Sequence, residues 1–337
     1  MRALIRNPDQ SVRLQTAEEP MLQAEDEVKI RIVYCTLCRD DMHAADKFSV
    51  FGQQGIVGHE ATGVIVQAGD IARQNGFSTG KRVMLMPMEA CGVCKNCLMQ
   101  KPHYCPEMRR SAGVFAEYVI RKYTALLFIP DQLSFQQANL MEPVGDVVEA
   151  IGKLEIDYSS QILLIGAGFT GLVFLQLLRF RGAKEITVIE PIEQRRQLAC
   201  QWGADHVYDA KKEDLQITLL QQTDFQGFDV VIDTSARADI FEFALPCMVN
   251  GGTIELFAYM QVQGKLVIPV LSMYVSNIKL IWTCLCGVQS MKTAATLIAK
   301  FQLEKLITLE LPIEESEAAY QQYLGTSEIK IGVCMSK

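Results

Sequence analysis

The sequence predicts a two-domain α/β protein in which a partly open antiparallel β-barrel is followed by a doubly wound parallel sheet. Three observations carry this. Short strand-like runs separated by Gly, Asp and Pro turns fill residues 1 to about 140. From Ser160 onward, β-rich segments alternate with helix-like stretches, the pattern of parallel strands joined by crossover helices. Within the first texture lies a loop of different composition, CGVCKNCLMQKPHYC, with four cysteines in fifteen residues.

Taken in order, VKIRIVY, ATGVIVQAG, KRVMLMP and AEYVIR are the strands of the first domain. SFQQANLMEPVGDVVEAIGKL reads as helix and joins the two textures. QILLIGAG, EITVIEP, DVVIDTS and GGTIELFAY are the strands of the second domain. After Cys286 come one helix-like stretch, MKTAATLIAKFQLEKL, and a final strand-like IKIGVCM. A length of 337 residues suffices for two filled cores. A net charge of −7 and a pI near 5.3 argue against a grip on nucleic acid or an anionic membrane. The apolar run Ile162 to Leu178 is broken by three glycines, a threonine and a glutamine, so it reads as strand, turn and buried helix rather than a membrane span. The N-terminus has no apolar signal region, and eleven cysteines then imply reduced thiols and a cytoplasmic setting.

The four cysteines, Cys91, Cys94, Cys97 and Cys105, are spaced C-x2-C-x2-C-x7-C. Four thiolates complete a tetrahedral zinc and leave no open position, so the site is structural. The metal replaces a hydrophobic core that so short a polar loop cannot build. Regular C-x2-C spacing in a reduced compartment favours metal over disulfides.

Gly166-Ala167-Gly168-Phe169-Thr170-Gly171 follows the run QILLI and precedes LVFLQLL, which is G-x-G-x-x-G between a strand and a helix. The first Gly permits a tight turn, the second lets backbone approach a pyrophosphate, and the third lets helix pack on strand. Glu190 ends the next strand, nineteen residues past Gly171. A carboxylate there accepts hydrogen bonds from ribose hydroxyls and repels a 2′-phosphate, which favours NAD over NADP. A solvated strand end is its plainer reading. Arg195 either packs beside the adenine or is an ordinary exposed helix residue.

A second metal-ligand cluster lies upstream: Cys38-Arg39-Asp40-Asp41-Met42-His43, then Gly58-His59-Glu60. One sulfur and one nitrogen 21 residues apart, each beside carboxylates, suit a zinc with room for further ligands.

These motifs, with Gly113-Val114-Phe115-Ala116-Glu117-Tyr118 and in this order, resemble the zinc-dependent medium-chain dehydrogenase/reductase superfamily of alcohol, sorbitol and threonine dehydrogenases. The resemblance implies a GroES-like catalytic domain over 1–145 and 287–337, a zinc lobe over 88–108, and a Rossmann domain over 146–286. It implies an active zinc in the cleft between the domains, with Cys38 and His59 as ligands and Glu60 as a ligand or alternating ligand. Glu142, in MEPVGD, falls where relatives carry Glu-Pro or a third ligand cysteine; it binds zinc directly or through water, or simply caps the linker helix. Asp41 would hold His59 in one tautomer. Arg39 contacts the cofactor pyrophosphate or pairs with a neighbouring carboxylate.

The implied reaction is hydride transfer between NAD(H) and a secondary alcohol or ketone, of the polyol, cyclitol, sugar or amino-alcohol class. Zinc makes the alkoxide accessible near neutral pH. A proton relay in relatives begins with Ser or Thr two residues after the zinc cysteine and ends at the His43 position; the plainer reading of His43 is a surface histidine of the loop. Here the first place is held by Asp40, which has three readings: a proton acceptor, a zinc ligand, or a partner for Arg39. Only seven residues separate Cys105 from Gly113, which implies an altered pocket wall; Phe48, Phe51 and Trp282 are candidate linings. The alternatives are a reductase run in the biosynthetic direction and a non-catalytic nucleotide-binding relic. The expected assembly is a homodimer or homotetramer through Lys279 to Gly287, KLIWTCLCG, either as an edge strand or as a buried one.

Overall fold

The computed structural model describes residues 1–42, 54–258 and 266–335, the side chain of Leu324 excepted. The chain divides into two compact units, Met1–Gly145 with Cys286–Lys337, and Asp146–Leu285.

The spine of the first unit is the strand Glu27–Thr36, in which Val28, Ile30 and Ile32 are fully buried while Lys29 and Arg31 turn outward. It pairs antiparallel with Glu60–Ala68, Tyr118–Lys122 and Lys330–Cys334. Arg82–Leu85 and Leu126–Phe128 extend the sheet beyond Glu60–Ala68, and Ile307–Pro312 lies on the far side of Lys330–Cys334. That last pair is parallel, so the sheet is mixed rather than purely antiparallel as expected. Parallel neighbours need a crossover, and the helix Ser316–Gln322 supplies it. A smaller sheet pairs Arg2–Arg6 with Val12–Thr16 and with Gly55–Ile56. In the main sheet Thr36 stands opposite Glu60 and also opposite Gly332, which brings three distant segments together at one level.

The helix Phe135–Asn139 opens with a capping box, Ser134 and Gln137 each bonding the other's backbone N–H. The cap fixes where the short helix starts and hence where Asn139 ends up. The expected single helix after Cys286 is instead Val288–Phe301 followed by a 3-10 turn, Leu303–Leu306. Gln302, at φ 52°, stops it in the left-handed region.

The second unit is a six-stranded parallel sheet. In space its strands run His206–Tyr208, Glu185–Ile189, Gln161–Ile165, Phe228–Asp233, Met248–Leu256, Lys279–Trp282. This is the Rossmann order, third-second-first-fourth-fifth-sixth, with the chain reversing direction beside Gln161–Ile165. Ile162, Leu163 and Leu164 are fully buried, as a strand covered on both faces requires. The helix Phe169–Arg181 is apolar nearly all round and ends at Gly182, φ 103°. Lys279–Trp282 is an edge strand among the described residues, and KLIWTCLCG leaves the sheet after Trp282.

Candidate active site

Cys38, His59 and Glu60 each present one ligand atom, and these atoms lie within 4.8 Å of one another. The local fold explains the convergence. Leu37 N–H bonds Ile331 O, which pins the chain leaving the central strand just before Cys38. Gly58, at φ 88°, turns the neighbouring segment so that His59 leads directly into the paired strand, which Glu60 begins. A Cβ at Gly58 would meet the Phe115 ring at 2.0 Å, so the turn needs glycine for space as well as for φ.

Asp41 organises this group. Its side chain is wholly buried; Oδ1 accepts from His59 Nδ1 at 2.7 Å, and Oδ2 accepts from the Cys38 N–H at 3.2 Å. Holding the Nδ1 proton fixes the tautomer and leaves Nε2 as the lone-pair donor. Burial opposes the imidazolium, but Asp41 outweighs it and His59 sits well above its ordinary pKa, so a metal arriving at Nε2 would displace a proton there. Burial, with Glu60 and Asp40 nearby, pushes the Cys38 thiol up to about 12. A thiol so placed ionises when a cation sits beside it. One soft sulfur, one imidazole and one carboxylate form a donor set suited to zinc.

Glu60 is held from two further sides. Its Oε1 accepts from Lys330 Nζ at 2.6 Å, and both side chains are buried. Its Oε2 accepts from Thr36 Oγ1, which in turn accepts from Asn139 Nδ2 at 2.7 Å. Glu142 is also buried, in the first turn of Met141–Ile151, but is not one of the mutually close set. Asp40 is partly buried and Arg39 exposed, both on the short helix Arg39–Met42. His43, Phe48 and Phe51 lie outside the described residues. Trp282 is 52% exposed on the edge strand of the second unit.

The sulfurs of Cys91, Cys94, Cys97 and Cys105 form a second set. The Cys91–Cys97 pair is 3.9 Å apart, and Cys94–Cys97 and Cys91–Cys105 are each 3.5 Å apart. Four sulfurs about 2.3 Å from one tetrahedral centre lie about 3.8 Å from each other, so these distances suit a single zinc. Backbone N–H groups of Val93 and Cys94 lower the Cys91 thiol to about 6, favouring the thiolate that a metal needs.

In the second unit the glycine loop makes a tight strand-to-helix turn. Gly166 takes φ 98°, and a Cβ on it would meet Thr234 Oγ1 at 2.6 Å. A Cβ on Gly171 would lie 2.1 Å from Gly166 O, so helix and strand touch there backbone to backbone. Around Gly168 the space is open, with only Arg195 Nη1 at 3.9 Å. Gly168 is the N-cap of Phe169–Arg181, whose first N–H groups face that space without a side-chain cap. Phe169 is buried and Thr170 partly exposed at the helix start. Glu190 is 4% exposed rather than a solvated strand end. Its oxygens accept from the Ala167 N–H at 2.7 Å and the Ile192 N–H at 3.0 Å, so it also braces the glycine loop.

Comparison with known proteins accords with this geometry. The alcohol dehydrogenase GroES-like domain family matches residues 24–131, and the zinc-binding dehydrogenase family matches 170–300. A zinc-type alcohol dehydrogenase-like protein of Escherichia coli K12, YdjJ, is 30% identical over 257 residues, 73% of each chain. The chain belongs to the zinc-dependent medium-chain dehydrogenase superfamily. This dehydrogenase is also 26% identical to the L-threonine 3-dehydrogenase of Xanthomonas euvesicatoria, over 95% of each chain. It shares the fold of the alcohol dehydrogenase TADH from Thermus sp. ATN1, at a TM-score of 0.89, 20% identity and full coverage of both chains.

Several site residues escape sequence reasoning. Lys330 is the one charge in the strand-like IKIGVCM, and its position offers a weak signal. Thr36, Asn139, Arg6 and Tyr320 carry none, because they reach the site only through long-range pairing. Among the described residues no helix is long and apolar enough to cross a membrane, and none of the eleven cysteines is in a disulfide.

Proposed function

We propose that this dehydrogenase moves a hydride between NAD(H) and a secondary alcohol or its ketone, of the polyol, cyclitol, sugar or amino-alcohol class. The observation that carries the reading is the convergence of Cys38, His59 and Glu60 around Asp41. Those three would hold the active zinc, with Glu142 as a further or water-mediated ligand, and the four lobe cysteines would hold a structural one. Bound there, zinc supplies a Lewis acid that makes an alkoxide accessible near neutral pH. Asp41 keeps the Nδ1 proton on His59, so Nε2 would be the nitrogen left to serve as a neutral ligand. Lys330 and Thr36 hold the Glu60 carboxylate in place. Asp40, which stands where relatives carry a hydroxyl, accepts the substrate proton, and His43 passes it on.

NAD is favoured by the open space at Gly168, the helix N-terminus beneath it, and the fixed negative charge of Glu190, which disfavours a 2′-phosphate. Arg195 is close enough to Gly168 to meet the cofactor, and Arg39 is exposed for its pyrophosphate. The likeness to L-threonine 3-dehydrogenase supports the amino-alcohol class. Self-association through the open edge Lys279–Trp282 accords with the exposed Val270, Leu271, Tyr274, Val275 and Trp282 near it in sequence. The compartment we assign is the cytoplasm, the setting in which a C-x2-C-x2-C-x7-C loop serves as a metal site rather than as disulfides.

The test is zinc content of protein purified without added metal, paired with NADH and NADPH titrations and initial rates on a panel of secondary alcohols. Two zincs per chain, tighter NADH binding and turnover of a panel member are expected. One zinc per chain, or tighter NADPH binding, would reject the metal or the cofactor assignment respectively.

A further inference from the structure

Arg6 lies on the strand Arg2–Arg6 and is 5% exposed, yet no carboxylate among the described residues pairs with it. Burying a guanidinium is costly unless its N–H groups are hydrogen-bonded, so the groups it bonds are informative. Its Nη2 donates to the main-chain carbonyl of Asp41 at 2.6 Å, and also to the hydroxyl of Tyr320. Tyr320 donates to the same Asp41 carbonyl. Two side chains from segments 35 and 279 residues away thus meet on one oxygen.

We propose that Arg6 and Tyr320 are positioning residues for the open metal site: they clamp the Asp41 carbonyl and thereby aim its carboxylate. This rests on the metal-site reading given above. Asp41 is then held at its main chain by Arg6 and Tyr320, while its two carboxylate oxygens serve His59 and Cys38. A rotation of Asp41 would misplace two ligands at once. Asp41 belongs to a helix of only four residues, Arg39–Met42, too short to be rigid by itself. The clamp bases are anchored independently. Glu317, on the helix carrying Tyr320, accepts the Leu14 N–H at 3.0 Å, and Leu14 pairs with Leu4 on the strand carrying Arg6. Arg6 and Tyr320 therefore sit on one block, cross-braced away from the metal loop. Among the described residues Arg6 Nε has no hydrogen-bond partner, so its bonds there are those of Nη2. The guanidinium carbon also lies over the Tyr320 ring, 5.8 Å from its centre.

The experiment is chelator-driven zinc release at neutral pH, followed with a chromogenic chelator, together with the visible spectrum of protein whose open site carries Co2+. Wild type, Tyr320→Phe, Arg6→Met and Arg6→Lys are compared. Wild type should release two zincs in two phases, with the lobe metal as internal reference. Tyr320→Phe should speed release from the open site about 10-fold and shift the Co2+ bands, with the lobe phase unchanged. Arg6→Met should do more, and Arg6→Lys should recover part of the loss. Should Arg6→Met fail to fold, Tyr320→Phe alone decides. A wild-type protein with only the lobe zinc removes the metal-site reading and the clamp with it. Two zincs in wild type, with release and spectrum unchanged in Tyr320→Phe, overturn the clamp and leave the metal site standing. Equal acceleration of both phases shows a general loss of structure and likewise overturns it.

Discussion

Replacing Lys330 with Met should cost this dehydrogenase more than any surface charge change, for a reason visible in the Glu60 environment. The Lys330–Glu60 pair is 2.6 Å long, with side chains 3% and 0% exposed. Burial opposes the lysine charge, and Glu60 outweighs it, holding the ammonium above its ordinary pKa. Methionine fills a similar volume, so packing is largely kept and the change isolates the charge. Glu60 keeps its bond from Thr36 but loses its only counter-ion among the described residues. Breaking a buried pair by removing one partner costs about 3–5 kcal/mol. For a unit of about 200 residues, each kcal/mol shifts the melting temperature by about 2–4 °C, so a fall of about 6–20 °C follows. The assay is thermal unfolding of Lys330→Met, Glu60→Gln and the double variant, each with the open site freed of metal and the lobe cysteines loaded, so that among the described residues no cation but Lys330 faces Glu60. The double variant should recover most of the loss, because glutamine still accepts from Thr36 without a stranded charge. A fall below about 2 °C for Lys330→Met, or no recovery in the double variant, would refute the pairing.

Burial raises the Glu255 pKa from 4.5 to about 7, against the smaller opposing effects of Thr283 and Lys153. The folded state then holds the proton that the unfolded chain gives up, so stability falls as pH rises from about 4.5 to about 7 and is flat above, by about 3 kcal/mol in all. Glu255→Gln should therefore melt higher than wild type at pH 8 and close to it at pH 4.5; a pH-independent difference would remove Glu255 as the cause. Cys97→Ser should lose one zinc per chain and open the segment between Cys91 and Cys105 to proteases, while NADH affinity holds because the glycine loop belongs to the other unit. Full zinc content in that variant would show that the lobe does not bind through Cys97.

The fold was largely legible because its signals are local. Alternation in VKIRIVY, the strand–glycine–helix run from Gln161 and the cysteine spacing each declare themselves within a few residues. The parallel pairing of Lys330–Cys334 with Ile307–Pro312 was not legible, since a short strand carries no mark of its partner's direction. At the site, cysteine, histidine and adjacent carboxylates stand out by type, and the structure brings Cys38, His59, Glu60 and Asp41 together. Glu142, equally prominent in sequence, is buried but stands apart from that set. Arg6 and Tyr320 had no sequence signal because their task is to bond one carbonyl, which any donor could do in principle. Only the register of distant segments singles them out.

The split of the first unit around residues 146–285 bears on the order in which the molecule assembles. Glu60 is translated 270 residues before the lysine that neutralises it, and Asp41 279 residues before its tyrosine donor. The intervening insertion starts and finishes side by side, since a Cβ on Gly145 would lie 2.9 Å from Cys286 Sγ. If the inserted sheet forms first, it turns a long open loop into a short tether and lowers the entropy lost when the two halves of the first unit meet. In that order of events the inserted sheet would act during synthesis as an internal splint, and Glu60 and Asp41 would gain their last partners only when the late strand and helix dock.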